Sequence, residues 1–270
     1  MNNQYLDSHN LVTPQHSKII TIVVWVILML FPATILLTNY SLFPSIALDS
    51  WPSTALYWLT STGTAPYGII TGLIILAASY RSMSMNNFSK LVLAVSISMA
   101  STLSLNHFLK PYFAEPRPNA ALLEQAYLLN TQDFYQHDKA EKRQMIGIAI
   151  VQLDIARPDL KLSDAIKSHW QHEVGYAFPS GHTLFAVTLA LVVGFYLLST
   201  GIIVLPALLF SWALTMGFSR MLLGMHWPQD VLASTAIGGT IAALSIYITE
   251  FVWTRWSMML TKQVTTSKKR

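Results

Sequence analysis

Six long apolar runs constrain this chain more than anything else in it. They cover residues 19–38, a stretch within 54–80, and residues 91–109, 183–198, 202–218 and 231–252. A helix needs about 20 mostly apolar residues to cross a bilayer, and in lipid the backbone must satisfy its own hydrogen bonds. None of the runs carries the polar face of a soluble amphipathic helix. Charged residues make up 11% of the 270, against about 25% in soluble domains, and they sit in blocks between the runs. An ordinary soluble enzyme, a disordered chain and a fibrous repeat are excluded. The absence of cysteine excludes a disulfide framework, a thiolate zinc site and a cysteine nucleophile. The expected fold class is all-α: a polytopic membrane helix bundle of six transmembrane helices, forming one domain over residues 1–270.

The first run is expected to be an uncleaved anchor, because a long polar stretch precedes it and no small-residue cleavage site follows. Ser, Ala, Gly and Thr in the third and sixth runs suit close helix packing. The Lys and Arg residues set the expected orientation. Lys18, Arg81, Lys90, Arg255, Lys262, Lys268, Lys269 and Arg270 fall on one side, with Asp7 and Glu250 as its acids. The long loop 110–178 holds eight basic and nine acidic residues on the other side, and long loops count for little in the orientation rule. Both termini are therefore expected in the cytoplasm. The loop, an extracytoplasmic cap of short helices, is expected to face the periplasm if the membrane is a bacterial inner membrane.

Three polar clusters punctuate the apolar pattern. Lys110-Pro-Tyr-Phe-Ala-Glu-Pro-Arg117-Pro118 follows the third run. Pro179-Ser180-Gly181-His182 precedes the fourth. Ser219-Arg220 through His226-Trp-Pro-Gln-Asp230 joins the fifth to the sixth. Counting crossings brings all three to one membrane face.

The chemistry of these residues suits an anion. A phosphate monoester carries about two negative charges near neutral pH. Arg117 and Arg220 can grip its oxygens bidentately, with Lys110 as a point charge. Ser180 suits a helix cap, Gly181 admits a ligand close to the backbone, and the helix start offers free N–H donors. Asp230 lies four residues after His226, in the first turn after Pro228. From there it can fix the tautomer of His226 and leave the other nitrogen free to attack. His226 reads as a nucleophile and His182 as the acid that protonates the leaving oxygen. A zinc site built from His169, His172, His182, His226 and Asp230 is the rival. Three neighbouring cations would repel a metal and already supply the charge neutralisation, so neither metal nor cofactor is expected.

These clusters resemble the signature of the type 2 phosphatidic acid phosphatase superfamily, K-x6-RP, PSGH and SR-x5-H-x3-D, each complete and in order here. The resemblance implies a six-helix membrane phosphatase. Its phosphate contacts are Lys110, Arg117, Ser180, Gly181, His182 and Arg220. Its nucleophile is His226, the partner of that nucleophile is Asp230, and its acid is His182. It further implies membrane lipid phosphates as partners: phosphatidylglycerol phosphate, phosphatidic acid, diacylglycerol pyrophosphate and undecaprenyl pyrophosphate, with no nucleic acid. Glu115, Tyr135 and His169 lie in stretches shared with the family and are candidates to touch a head group. The alternatives are a lipid A phosphatase-like enzyme, a lipid or anion transporter, and a vanadium-dependent halide oxidase. A transporter needs polar groups at depth, whereas the ionisable clusters sit at one face.

Overall fold

The computed structural model describes residues 14–267, with side chains over 15–259. Asp7 and residues 268–270, counted in the charge sorting above, lie outside the described residues, as does the side chain of Lys262. The described chain is helical: α1 (Pro14–Thr38), α2 (Trp51–Ser61), α3 (Tyr67–Tyr80), α4 (Met85–Phe113), α5 (Pro118–Gln125), α6 (Thr131–Phe134), α7 (Lys139–Ala156), α8 (Asp164–His172), α9 (Gly181–Leu198), α10 (Val204–Leu222) and α11 (Pro228–Ser267).

Five of these, α1, α4, α9, α10 and α11, are long and apolar enough to cross a membrane. The second apolar run, a stretch within 54–80, is broken in its weak front half. It folds as α2 and α3, of 11 and 14 residues, joined by residues 62–66. Pro66 offers no N–H there. A Cβ on Gly68 would stand 3.1 Å from the Gly63 carbonyl carbon, so these two glycines let the chain fold back on itself. Helix α3, apolar over its 14 residues, is the sixth candidate span; at about 1.5 Å per residue it covers about 21 Å of a hydrocarbon core of about 30 Å.

Helix α9 is the hub. It packs against α10, α11, α4 and α1 and is buried from His182 to Leu198 apart from Phe185. Its sequence is apolar all round, as a helix surrounded by others requires. Leu189, Leu191 and Val193 meet Leu91, Ala94, Leu209, Ala213 and Ala242 in one core. Lipid tails are as apolar as leucine, so close packing holds such helices together. A Cβ on Gly194 would overlap the Phe210 ring at 2.5 Å, and one on Gly238 would stand 2.9 Å from Thr188 Oγ1. At the end of the bundle away from the three clusters, Lys90 on α4 pairs with Glu250 on α11 at 2.8 Å.

The 110–178 segment carries α5 to α8 at the other end. Asp138 and Glu141 form a reciprocal cap on α7, and Ser163 caps α8. Leu123, Phe134, Ile146, Leu153, Ile166 and Trp170 form a second core that also takes in Leu223 and Met225. The cap is therefore fastened to the turn that precedes His226. In that turn Gly224 has φ +72°, and a Cβ on it would overlap the Phe43 ring at 2.6 Å. Both the left-handed backbone and the space demand glycine.

Candidate active site

Five helix ends and one turn bring the sequence-predicted residues together. Lys110 lies in the last turn of α4. Arg117 is the N-cap of α5. Ser180 and His182 open α9, Arg220 lies in the last turn of α10, and Asp230 in the first turn of α11. Between the last two, the amides of Met225 and His226 both donate to the Arg220 carbonyl, at 3.0 and 3.1 Å. Trp170 Nε1 donates to the Leu223 carbonyl at 3.0 Å. The backbone of His226 is thus locked to Arg220 and to the cap.

The cations are positioned by carbonyls and by one carboxylate. Lys110 Nζ donates to the Tyr176 carbonyl at 2.8 Å. Arg117 Nε donates to the Gly175 carbonyl at 2.6 Å, and its Nη2 meets Glu173 Oε2 at 3.0 Å. Arg220 is fully buried. Its Nη1 lies 2.9 Å from Thr60 Oγ1 and 3.0 Å from His169 Nε2, and its Nη2 lies 3.6 Å from Glu173 Oε2. Arg220 Nε and Nη2 make no hydrogen bond. A buried guanidinium with two nitrogens that make no hydrogen bond has donors to offer to further anion oxygen.

Glu173 is a carboxylate bound in the cradle. Burial would raise its pKa, but Arg117, His182 and Arg220 override that and hold it well below the ordinary carboxylate value. His169 is pushed down to about 3, by burial first and by Arg220 second. It is therefore neutral, and its Nε2 accepts from Arg220.

His226 and Asp230 are both buried, with Nδ1 3.4 Å from Oδ2. The same Oδ2 accepts from the Trp227 amide at 2.8 Å, which ties the carboxylate to its own helix start. Burial, then Arg117, Arg220, Lys110 and His182, hold His226 well below the ordinary imidazole value. The ring is neutral at neutral pH and has a lone pair to offer.

Ser180 is built into the scaffold. Its amide donates to Ser234 Oγ at 2.8 Å, and its hydroxyl bonds Thr183 Oγ1 at 2.9 Å. Gly181 is covered by Asn106, whose Nδ2 would stand 3.2 Å from a Cβ there. His182 Nε2 is hydrogen-bonded to the hydroxyl of Thr64.

Lys110, Arg117, Glu173, Gly181, His182 and His226 line one end of a cavity of about 540 Å³. Arg220 and Asp230 stand behind this wall. Leu73, Leu76, Val95, Met99, Leu103 and Phe185, from α3, α4 and α9, line the rest. Of the head-group candidates, His169 supports Arg220. Tyr135 stacks on Tyr176 at 4.5 Å, and its hydroxyl accepts from the Arg117 amide at 3.1 Å. Glu115 Oε1 accepts from Gln229 Nε2 at 3.0 Å. Thr60, Thr64, Asn106 and Glu173 are members of the site that sequence reasoning missed. Among the described residues, no three His, Asp or Glu side chains gather at metal-ligand spacing.

Two histidines, one backed by a carboxylate, and three cations at the mouth of a membrane helix bundle define a class: membrane-embedded enzymes of phosphoryl transfer. The chain belongs to the PAP2 superfamily, whose sequence pattern matches residues 91–254, and is a membrane lipid phosphatase. It is 30% identical over 204 residues to phosphatidylglycerophosphatase B of Escherichia coli K12, covering 75% of this chain and 78% of that one. It is 32% identical over 209 residues to phosphatidylglycerophosphatase B of Haemophilus influenzae, covering 73% and 80%. Over a shorter stretch of 77 residues, 27% of this chain and 34% of the other, it is 38% identical to undecaprenyl-diphosphatase of Sulfolobus acidocaldarius.

Proposed function

We propose that the protein hydrolyses phosphatidylglycerol phosphate and related lipid phosphates and pyrophosphates, undecaprenyl pyrophosphate among them, through a phosphohistidine on His226. The observation that carries this reading is the two-part cavity. Its polar end holds both histidines and two of the cations, and its remaining length is apolar and runs between α3, α4 and α9. A lipid fits such a space with its phosphate at the histidines and an acyl or prenyl chain between the helices. Helix α3 packs only lightly on its neighbours, so a lipid can pass between α3 and α4 without leaving the bilayer.

In the first step His226 Nε2 attacks phosphorus and the P–O bond to the lipid breaks. His182 gives a proton to the departing oxygen. Water then attacks the phosphohistidine from the side the alcohol left, His182 takes the proton of that water, and phosphate and free His226 result. Lys110, Arg117 and Arg220 stabilise the charge on the phosphoryl oxygens in both steps. Ser180 and Gly181 shape the anion site at the start of α9. The similarity to proteins of Escherichia coli and Haemophilus influenzae supports a bacterial inner-membrane location, and the positive-inside pattern supports a site facing the periplasm with both termini in the cytoplasm.

Phosphate release by the detergent-purified protein in EDTA tests the reading, with phosphatidylglycerol phosphate and undecaprenyl pyrophosphate offered side by side. Release that persists in EDTA and vanishes in His226→Ala is expected, and the ratio of rates ranks the two lipids. Release that EDTA abolishes, or that survives in His226→Ala, would overturn the mechanism.

A further inference from the structure

The loop 62–66 forms the wall of the site that faces His182. A Cβ on Gly63 would stand 3.2 Å from His182 Cδ2 and 3.1 Å from Met216 Cε, so the loop backbone lies directly against the imidazole. One residue on, the Thr64 hydroxyl bonds His182 Nε2. The loop itself is fixed from both sides. Trp212 Nε1 donates to Thr62 Oγ1 at 2.9 Å, and Thr60, at the end of α2, accepts from Arg220 Nη1 at 2.9 Å. Thr64 and His182 both line the cavity.

A leaving-group acid changes protonation state during each turnover. Its ring must stay aimed at the reacting oxygen in both states, and its nitrogens need partners in both. A carboxylate partner only accepts, and a backbone amide only donates. A hydroxyl oxygen accepts from Nε2–H in both states, without the full negative charge by which a carboxylate would hold the proton on the ring.

We infer that Thr64 is the positioning residue of the leaving-group acid, holding the His182 ring by its Nε2 through both halves of the reaction. The inference rests on the reading of His182 as that acid. As the P–O bond breaks, its electron pair stays on the lipid oxygen, which takes the proton of His182. The proton leaves from Nδ1, while Nε2 keeps its own and donates it to the Thr64 oxygen throughout.

The test is leaving-group dependence. An alkyl lipid phosphate expels a strongly basic alkoxide and needs the acid. p-Nitrophenyl phosphate expels a phenolate that departs without a proton. Because His182 also serves the water step that both substrates share, the rate read is that of the first turnover, the release of lipid alcohol or of nitrophenol before water attacks, measured in EDTA for the wild type, Thr64→Val, Thr64→Ser and His182→Ala. For Thr64→Val, the ratio of lipid to nitrophenyl first-turnover rates is expected to fall by about 10- to 100-fold, part of the 10²- to 10⁴-fold that a positioned acid supplies. His182→Ala should show the same selective loss, and Thr64→Ser should restore the ratio. A Thr64→Val variant that loses both activities in equal measure, or neither, overturns the inference while a selective loss in His182→Ala leaves the acid standing. Equal loss of both activities in His182→Ala removes the acid and the inference with it. A melting temperature for each variant separates misfolding from lost positioning, since misfolding lowers both turnovers together.

Discussion

The Glu173 carboxylate lies 3.0 Å from the Arg117 guanidinium, at the polar end of the cavity that both residues line. It also forms a longer ion pair, at 3.6 Å, with Arg220 Nη2, a nitrogen that makes no hydrogen bond. An internal carboxylate thus holds together two guanidinium groups that would otherwise repel across a buried space. On the proposed reading, a substrate phosphate offers the same groups more oxygens and more charge, and so would compete with Glu173 for them.

Glu173→Gln tests that competition. The variant leaves two buried guanidinium groups short of an anion, at a cost of about 1–3 kcal/mol. Its melting temperature in detergent should therefore fall. Inorganic phosphate or vanadate should then raise that temperature more in the variant than in the wild type, because the added anion replaces the carboxylate. Equal anion-induced shifts in the two proteins would show that Glu173 and phosphate do not share the guanidinium groups.

Acid sensitivity follows from the buried histidines. Burial is the main cause that holds His169 and His226 below the ordinary imidazole value, with Arg220 next for His169 and Arg117 next for His226. In the unfolded chain each takes a proton near pH 6.5, at about 1.4 kcal/mol per pH unit per histidine. Their neutral forms therefore favour the fold fully above that pH, and the stability they contribute falls as the pH drops below it. Glu173, lowered in the fold, adds stability above the ordinary carboxylate value that is lost as the pH falls toward its folded value. Melting temperatures taken between about pH 7.5 and 5 should decline with acid, and His169→Gln should flatten the decline. A profile that stays level over this range would contradict the burial of neutral imidazoles.

Gly72 gives access to the apolar part of the cavity. It lines that space, and a Cβ there would meet nothing within 4 Å. Gly72→Trp should therefore fill the groove without disturbing the helices around it. Turnover of long-chain lipid phosphates should fall by about tenfold or more, the scale of one to two kcal/mol of lost binding. p-Nitrophenyl phosphate, which has no acyl chain, should lose far less. Parallel loss on both substrates would mean that the chain of the lipid does not lie between α3 and α4.

Much of the site is legible in the sequence because its parts are fixed by chain connectivity. Lys110, Arg117, His182, Arg220, His226 and Asp230 sit at the ends of apolar runs, and the parity of crossings alone carries them to one face. The Asp230 contact with His226 is likewise local, four residues apart across a helix start. The second apolar run is harder to read, since its Thr- and Gly-rich front half looks like a weak membrane segment. That front half is instead the end of α2 and a folded-back loop before α3, whose value lies in distant contacts: Thr60 with Arg220, Gly63 and Thr64 with His182. Such residues are ordinary in type and have no periodicity to mark them. Glu173 is hidden for a related reason. A lone acid in a polar loop looks solvated until the fold sets two arginines around it.

The central claim is that His226 carries the phosphoryl group. Purified protein mixed with a ³²P-labelled lipid phosphate and quenched within milliseconds tests it most directly, followed by peptide mapping. The account predicts a label that is stable in alkali, labile in acid, confined to the peptide bearing His226, and absent from His226→Ala. Hydrolysis that proceeds with no labelled histidine, or a label that survives in His226→Ala, would contradict it.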